Sequence, residues 1–186
     1  GRKQTTLLGY NRATDNSRST GSTIKPVIDY GPAIEYLNYS TGQTIMDQRT
    51  TYSNGVELNN WDFSHKGAMT LRTALVYSRN TTALQTFKAV GETNIKSFLN
   101  NLDIQIKNDG QDYLVESNSI GADISPIKMA AAYATFGNYG NYSKPYTVTK
   151  VTTRDGQVTE FKPEQKQAMK DSTAYMITDV DRKSVV

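Results

Sequence analysis

The sequence predicts a mixed α/β domain carried mainly by helices. Apolar residues recur at helical spacing over much of the stretch from Thr70 to Leu102, and Ser125-Pro126 opens a further helix. Alternation on either side of Asp155-Gly156 marks a β-hairpin. The chain has 186 residues, 37% of them hydrophobic, enough for one domain or a piece of a larger protein with a core of its own.

Taken in order, residues 5–10 read as a short strand and residues 11–18 as a polar loop. A helix is expected from about Ser22, bearing Ile24, Val27, Ile28 and Tyr30. Gly31-Pro32 is expected to bend or end it, with another turn over residues 33–37. Residues 38–66 are rich in Asn, Thr, Ser and Gly without periodicity and read as a long irregular connection, of the kind that is functional or mobile. Leu71, Ala74 and Leu75 define one short helix; Leu84, Phe87, Ala89 and Val90 define a second that stops at Gly91. Ser78-Arg79-Asn80 separates them, with Asn80 or Thr81 as the cap of the second. Thr93 opens a helix carrying Ile95, Phe98, Leu99 and Leu102. The helix begun at Ser125-Pro126 carries Met129, Ala130, Tyr133 and Phe136 and ends over residues 137–140. Residues 146–153 and 157–161 make the hairpin, and residues 165–180 are expected to be helical. The strands lack a complete sheet of their own.

Composition narrows the chemistry. The net charge is +3, with Lys and Arg scattered and no basic run among aromatics, so nucleic-acid binding has little support. Cysteine is absent, which removes disulfide and thiolate chemistry. With His65 as the single histidine, no metal site is expected, and no cofactor either. No stretch approaches the ~20 apolar residues of a membrane span. Both ends read as cut. Gly1-Arg2-Lys3-Gln4 runs without an initiator Met into the expected strand. Asp181-Arg182-Lys183-Ser184-Val185-Val186 back-translates as GAT CGG AAG AGC GTC GTG, the start of a common sequencing adapter. Residues 1–180 are therefore expected to be a partial domain and residues 181–186 a non-native tail.

The residues able to do chemistry centre on Gly21-Ser22-Thr23-Ile24-Lys25-Pro26. Residues i and i+3 share a helix face, so the Ser22 hydroxyl and the Lys25 amine can meet one turn apart. Free N–H groups and the dipole at a helix start favour negative charge there, and a partly desolvated lysine becomes a usable base. Ser22 is thus either a helix cap or a nucleophile. The spacing alone does not choose, since Ser125-Pro126-Ile127-Lys128 repeats it at what reads as a plain helix start. The sole Ser-x-Asn, Ser78-Arg79-Asn80, sits where two helices break, a place that suits a proton shuttle and a substrate clamp. His65 has no acidic neighbour in sequence and reads as exposed; Asp62 lacks a paired carboxylate at a useful spacing.

Ser-x-x-Lys followed by Ser-x-Asn is the ordered signature of active-site-serine penicillin-recognising enzymes. Leu8-Gly9-Tyr10-Asn11-Arg12-Ala13, Trp61-Asp62-Phe63-Ser64-His65-Lys66-Gly67, Leu71 to Asn80, and Gly121-Ala122-Asp123-Ile124-Ser125-Pro126 extend the match. Together they resemble the transpeptidase domain of class A (bifunctional) penicillin-binding proteins, nearest in texture to streptococcal members, with Ile24 where methionine is more usual. The resemblance implies the α/β (α+β) penicillin-recognising, β-lactamase-like fold, here a fragment dominated by its helical subdomain. It implies a DD-transpeptidase that cross-links peptidoglycan stem peptides ending in D-Ala-D-Ala. Its partners are those peptides, lipid-linked glycan strands and β-lactam antibiotics, on the extracytoplasmic face of a bacterial membrane to which the parent protein is anchored. Ser22 is implied as nucleophile, Lys25 as its base, Ser78 as proton shuttle and Asn80 as the holder of lysine and substrate amide. Thr23, Trp61 and Thr82 are the substrate-binding candidates beside them; Trp61 either edges the cleft or packs a loop.

One element of the family pattern is missing: no Lys-Thr-Gly or Lys-Ser-Gly occurs in the chain. That strand, with the glycosyltransferase domain and the anchor, is expected outside this segment, so the segment alone is expected to acylate poorly. A serine DD-carboxypeptidase, a β-lactamase and a non-catalytic penicillin-sensing or peptidoglycan-binding module remain alternatives.

Overall fold

In the computed structural model, which describes Leu7 and residues 9–182, the helix expected from Ser22 is three helical forms in series. It follows a short strand β1 (Arg18–Ser19). Gly21–Ile24 is a 3₁₀ turn, Pro26–Tyr30 a π-helical segment, and Gly31–Leu37 a regular helix, α1. Proline dictates the first change. Pro26 has no N–H to give to the Ser22 carbonyl, so the Lys25 N–H takes that carbonyl instead and the turn tightens. The next turn is wide, with the Gly31 N–H reaching back to the Pro26 carbonyl.

Of the two outcomes expected at Gly31-Pro32, the helix does not end there but changes from the π-helical to the regular form and runs on through residues 33–37; Asn38, at φ 55°, closes it after Leu37. Glycine is needed inside this run. A Cβ at Gly31 would stand 2.5 Å from the Pro26 carbonyl oxygen and 3.0 Å from Cζ of Phe98. Gly31→Ala is expected to lower stability by about 1–3 kcal/mol, the usual range for overpacking, and a depressed melting temperature is the readout.

The connection over residues 38–66 is more ordered than its composition suggests. It contains β2 (Thr44–Asp47), β3 (Thr50–Thr51) and β4 (Glu57–Leu58) and leads into β5 (Gly67–Thr70). β2 and β5 pair antiparallel from Thr44↔Thr70 to Asp47↔Gly67, and β3 pairs with β4. Strands of two residues carry no readable period, and in β2 the inward positions are Ile45 and Asp47, so the alternation is hidden by a charge.

Three helices follow: α2 (Leu71–Val76), α3 (Asn80–Val90) and α4 (Glu92–Asn101), the last opening one residue ahead of Thr93. Thr70 caps α2 by accepting the Thr73 N–H. Neither Asn80 nor Thr81 caps α3. Asn60, from the connection, does so from outside, its Oδ1 accepting the N–H of Asn80 at 2.7 Å and of Thr81 at 3.3 Å.

A 3₁₀ turn (Glu116–Ile120) precedes β6 (Asp123–Ile124), which pairs with β1, and α5 (Pro126–Gly137) starts at its proline as expected. Ser125 occupies the cap position of α5 without a side-chain cap bond. β7 (Asn141–Ser143) precedes the expected hairpin, β8 (Lys150–Thr152) against β9 (Val158–Glu160). The helix expected from residue 165 begins only at Asp171, as α6 (Asp171–Asp181), because Gln165–Gln167 forms β10 and pairs with β7.

Among the described residues the strands pair only two by two, so no complete sheet is present. Of the strand expected over residues 5–10, residues 5, 6 and 8 lie outside the described residues, and Gly9 and Tyr10 are irregular. Of the expected tail, Asp181 ends α6, Arg182 caps it, and residues 183–186 lie outside the described residues.

The core surrounds the composite helix. Ile24, Val27, Ile28, Tyr30, Ala33 and Ile34 are all buried, and α3, α4 and α6 pack around the π-helical segment. A helix buried on nearly every side belongs in the middle of a domain, and its first turn is thereby fixed as a platform. No helix among the described residues is long and apolar enough to cross a membrane.

Candidate active site

Lys25 leaves the platform at the junction of the 3₁₀ and π-helical segments and is fully buried. Its ammonium converges on one turn of chain. Nζ donates to the Ser78 carbonyl at 2.7 Å, to Ser78 Oγ at 3.1 Å and to Asn80 Oδ1 at 2.8 Å. Those acceptors use the full donor capacity of an ammonium.

Ser78 sits in the left-handed region at φ 50°, where a non-glycine residue is strained, between the end of α2 and the start of α3. That conformation turns both its carbonyl and its hydroxyl toward the lysine. Asn80 is oriented from its other end, its Nδ2 donating to the Asn59 carbonyl at 2.9 Å.

Ser22 lies exposed on the first turn, and its side chain makes no hydrogen bond among the described residues. It lines a cleft of about 210 Å³ with Thr23, Pro26, Leu75, Ser78 and Tyr133. Ser22 and Ser78 thus line one crevice, and the buried Lys25 amine is bonded to Ser78 and Asn80. Thr23 shares the cleft, with Oγ1 donating to the Thr20 carbonyl at 2.7 Å, and Tyr133 donates to the Thr23 carbonyl at 2.8 Å.

Two expected substrate contacts are elsewhere. Thr82 is fully buried, its hydroxyl shared with Tyr30 at 3.0 Å and donating to the Arg79 carbonyl at 3.1 Å, so it faces the core and not the cleft. Trp61 is exposed and lines a neighbouring cavity of about 540 Å³ with Met69, Thr73 and Tyr77; its indole N–H donates to the Tyr77 carbonyl at 3.1 Å. Ser125 and Lys128, the second Ser-x-x-Lys, do not line the cleft.

Electrostatics favour a lysine that can lose its proton. Burial pushes Lys25 down to about 8, with the nearby Arg79 charge adding to that and Asp29 opposing it. At neutral pH a minor but useful fraction of the amine is free.

The turn itself hangs from residues that the motif does not contain. Arg79 is buried between two carboxylates: Nε donates to Asp47 at 2.9 Å and Nη1 to Asp62 at 2.9 Å, and Nη2 also donates to the Ser64 carbonyl. Asp47 in turn accepts from Asn60 at 2.8 Å, the Lys66 N–H at 2.8 Å and Thr81 Oγ1 at 2.5 Å. Burial alone would drive Asp47 upward, but those bonds together hold it below the usual carboxylate range. The Ser64 hydroxyl and then Arg79 hold Asp62 down likewise, so Asp62 is an anchor and not an acid. His65 has an acidic neighbour after all, with Nδ1 3.9 Å from Asp47 Oδ1. No cluster of metal-ligating side chains occurs among the described residues.

Comparisons with known proteins give the family and the fold. The family profile described as the penicillin binding protein transpeptidase domain matches residues 2–184. Penicillin-binding protein 1A/1B of Bacillus subtilis is 41% identical over 182 residues, covering 95% of this chain and 20% of that protein. Penicillin-binding protein 1A of Streptococcus pneumoniae is also 41% identical, over 179 residues, covering 93% of this chain and 25% of that protein. The chain therefore spans about a quarter or less of these relatives, and the streptococcal likeness is matched by the Bacillus one. Among solved structures, penicillin-binding protein 1A of Haemophilus influenzae superposes with a TM-score of 0.83 at 22% identity, over 95% of this chain and 31% of that one. Penicillin-binding protein A of M. tuberculosis, solved as an imipenem acyl-enzyme complex, gives 0.81 at 19% identity, over 94% of this chain and 45% of that one. The shared fold is the α/β penicillin-recognising type.

Proposed function

Because the chain belongs to the family of penicillin-binding protein transpeptidase domains, we propose that it is the acyl-serine part of a peptidoglycan DD-transpeptidase. The observation that carries this is the convergence of the Lys25 amine on Ser78 and Asn80 beside a cleft that Ser22 lines.

The chemistry follows from that placement. Lys25, once neutral, removes the Ser22 proton as Oγ bonds to the carbonyl carbon of the penultimate D-alanine. The oxyanion that forms lies near the Ser22 N–H, on the first turn of a helix whose leading N–H groups have no helical partner. When the C–N bond breaks, the proton taken by Lys25 passes through Ser78 Oγ to the departing D-alanine nitrogen. An amine from a neighbouring strand then attacks the ester, loses its proton by the reverse route and frees Ser22, leaving a cross-link. Asn80 keeps the lysine aimed and holds the substrate amide.

A β-lactam presents the same carbonyl in a ring, so its leaving nitrogen stays attached and the ester persists. That reading is supported by the acyl-enzyme known for the M. tuberculosis neighbour. In the parent protein the work is done outside the membrane, on lipid-linked glycan strands. Asp181 also borders the cleft.

The test uses the full-length protein that carries this segment, since the Lys-Thr/Ser-Gly element is not in this chain. Ser22→Ala is expected to abolish covalent labelling by a fluorescent penicillin, while Ser125→Ala labels normally. Label that survives in Ser22→Ala moves the nucleophile to another residue and ends this assignment.

A further inference from the structure

The turn that carries Ser22 is fastened from outside at both ends. Upstream, the Thr20 N–H donates to the Ala122 carbonyl at 3.0 Å, and the Ala122 N–H donates back to Thr20 Oγ1 at 3.2 Å. Downstream, the Tyr133 hydroxyl on α5 donates to the Thr23 carbonyl at 2.8 Å, across 110 residues of sequence. That second tie answers a specific shortage. In the 3₁₀ register of Gly21–Ile24 each carbonyl looks to the N–H three residues on, as Ser22 does to Lys25. The next carbonyl in line, that of Thr23, looks to residue 26, which is a proline and has no N–H. A phenol from another helix stands where that N–H is missing.

We propose that Tyr133 is a positioning residue for the nucleophile: its hydroxyl replaces the donor that Pro26 lacks and thereby fixes the turn on which Ser22 stands. This role rests on the assignment of Ser22 as the nucleophile. Thr23, the residue after it, is then held twice. Its Oγ1 is bonded inward to the Thr20 carbonyl at 2.7 Å, and its own carbonyl is bonded outward to Tyr133. The Ser22 hydroxyl and N–H are placed by the backbone between the two ties. A displacement of about 1 Å at reacting atoms can cost up to about 10²-fold in rate, so a single bond at this point has leverage.

The phenol is itself set from the core. Its ring stands edge-on to the buried Phe136, with centroids 5.8 Å apart and planes at 79°, and it lines the cleft with Ser22 and Ser78. Among the described residues no other side chain donates to a carbonyl of residues 21–24. Tyr133 takes no part in moving protons. Burial first and Asp181 second push its hydroxyl up to about 12, so it remains a donor at neutral pH. The bond to Thr23 lies at the surface, where water competes for both partners, and it contributes more to local geometry than to the stability of the fold.

The readout is the time course of covalent labelling by a fluorescent penicillin in the full-length protein that carries this segment. Its dependence on penicillin concentration separates the affinity of the first complex from the rate constant of acylation. Tyr133→Phe keeps the ring and the cleft wall and deletes the donor alone. The rate constant is expected to fall about tenfold, while the affinity and the melting temperature stay at their wild-type values. Pro26→Ala gives position 26 an N–H, and in that background Tyr133→Phe is expected to cost at most about threefold. A wild-type rate constant in Tyr133→Phe overturns the proposal. So does a rate loss matched by weaker affinity, which makes the phenol a substrate contact, or by a depressed melting temperature, which makes it a strut of the fold. An undiminished loss in the Pro26→Ala background overturns it as well; should that background not fold, the single variant decides. Ser22→Ala keeps this role apart from the function. Label in Ser22→Ala defeats the function itself; an inert Ser22→Ala beside a fully active Tyr133→Phe defeats only the role of Tyr133.

Discussion

Lys25→Met is expected to slow acylation of the full-length protein by a factor on the order of 10²–10⁴, the share that a positioned general base contributes. Methionine fills nearly the same volume with a similar unbranched chain, so the packing around the composite helix is kept. What is lost is the donor to Ser78 and Asn80 and the acceptor for the Ser22 proton. The pH profile separates these losses. Wild-type acylation should climb with pH through about 8, where Lys25 gives up its proton, and the methionine variant should lack that limb. Stability gives a second handle, with its own sign. The folded lysine titrates near 8 and the unfolded one near 10.5, so between those values the unfolded chain binds the extra proton. The fold should therefore gain stability as pH rises through that window, and Lys25→Met should flatten the gain. A methionine variant that acylates at the wild-type rate would remove Lys25 from the mechanism.

Much of the candidate site is legible in the sequence, and the reasons are local. Ser22, Lys25, Ser78 and Asn80 stand at short, ordered spacings beside clear helical periods, so both their identity and their elements could be read. Pro26 is visible in the sequence as a residue without an N–H, but the tightened turn and then the widened one that it leads to are not. Asp47, Asn60 and Ser64 were not readable. They lie in a stretch without periodicity and reach Arg79 and Asn80 across the sequence, through contacts that no spacing rule encodes. Thr82 misled because it follows the motif closely, yet its hydroxyl faces Tyr30 in the core.

The second large effect concerns the anchor beneath the turn. Arg79 and Asp47 are almost wholly removed from water, with side chains 2% and 0% exposed. Breaking a buried pair by deleting one partner leaves the other charge uncompensated, at a cost of about 3–5 kcal/mol. Asp47→Ala leaves Arg79 paired only with the partly exposed Asp62, and is expected to approach that loss because it also frees Asn60, Thr81 Oγ1 and the Lys66 N–H from their shared acceptor. Denaturant unfolding measures the loss. Joint replacement, Asp47→Leu with Arg79→Met, removes both charges and should recover much of it, since apolar groups of similar size can replace a buried pair. Acylation should not return with stability. Ser78 keeps its left-handed conformation next to the anchored Arg79, and Asn60, which caps α3, has its amide fixed by Asp47 together with the Ser64 carbonyl. With the anchor gone, the Ser78 hydroxyl and the Asn80 amide lose the placement from which they meet the lysine. A double variant that is both stable and fully active would show that the Ser78–Asn80 turn positions itself, and that the buried charges serve folding alone.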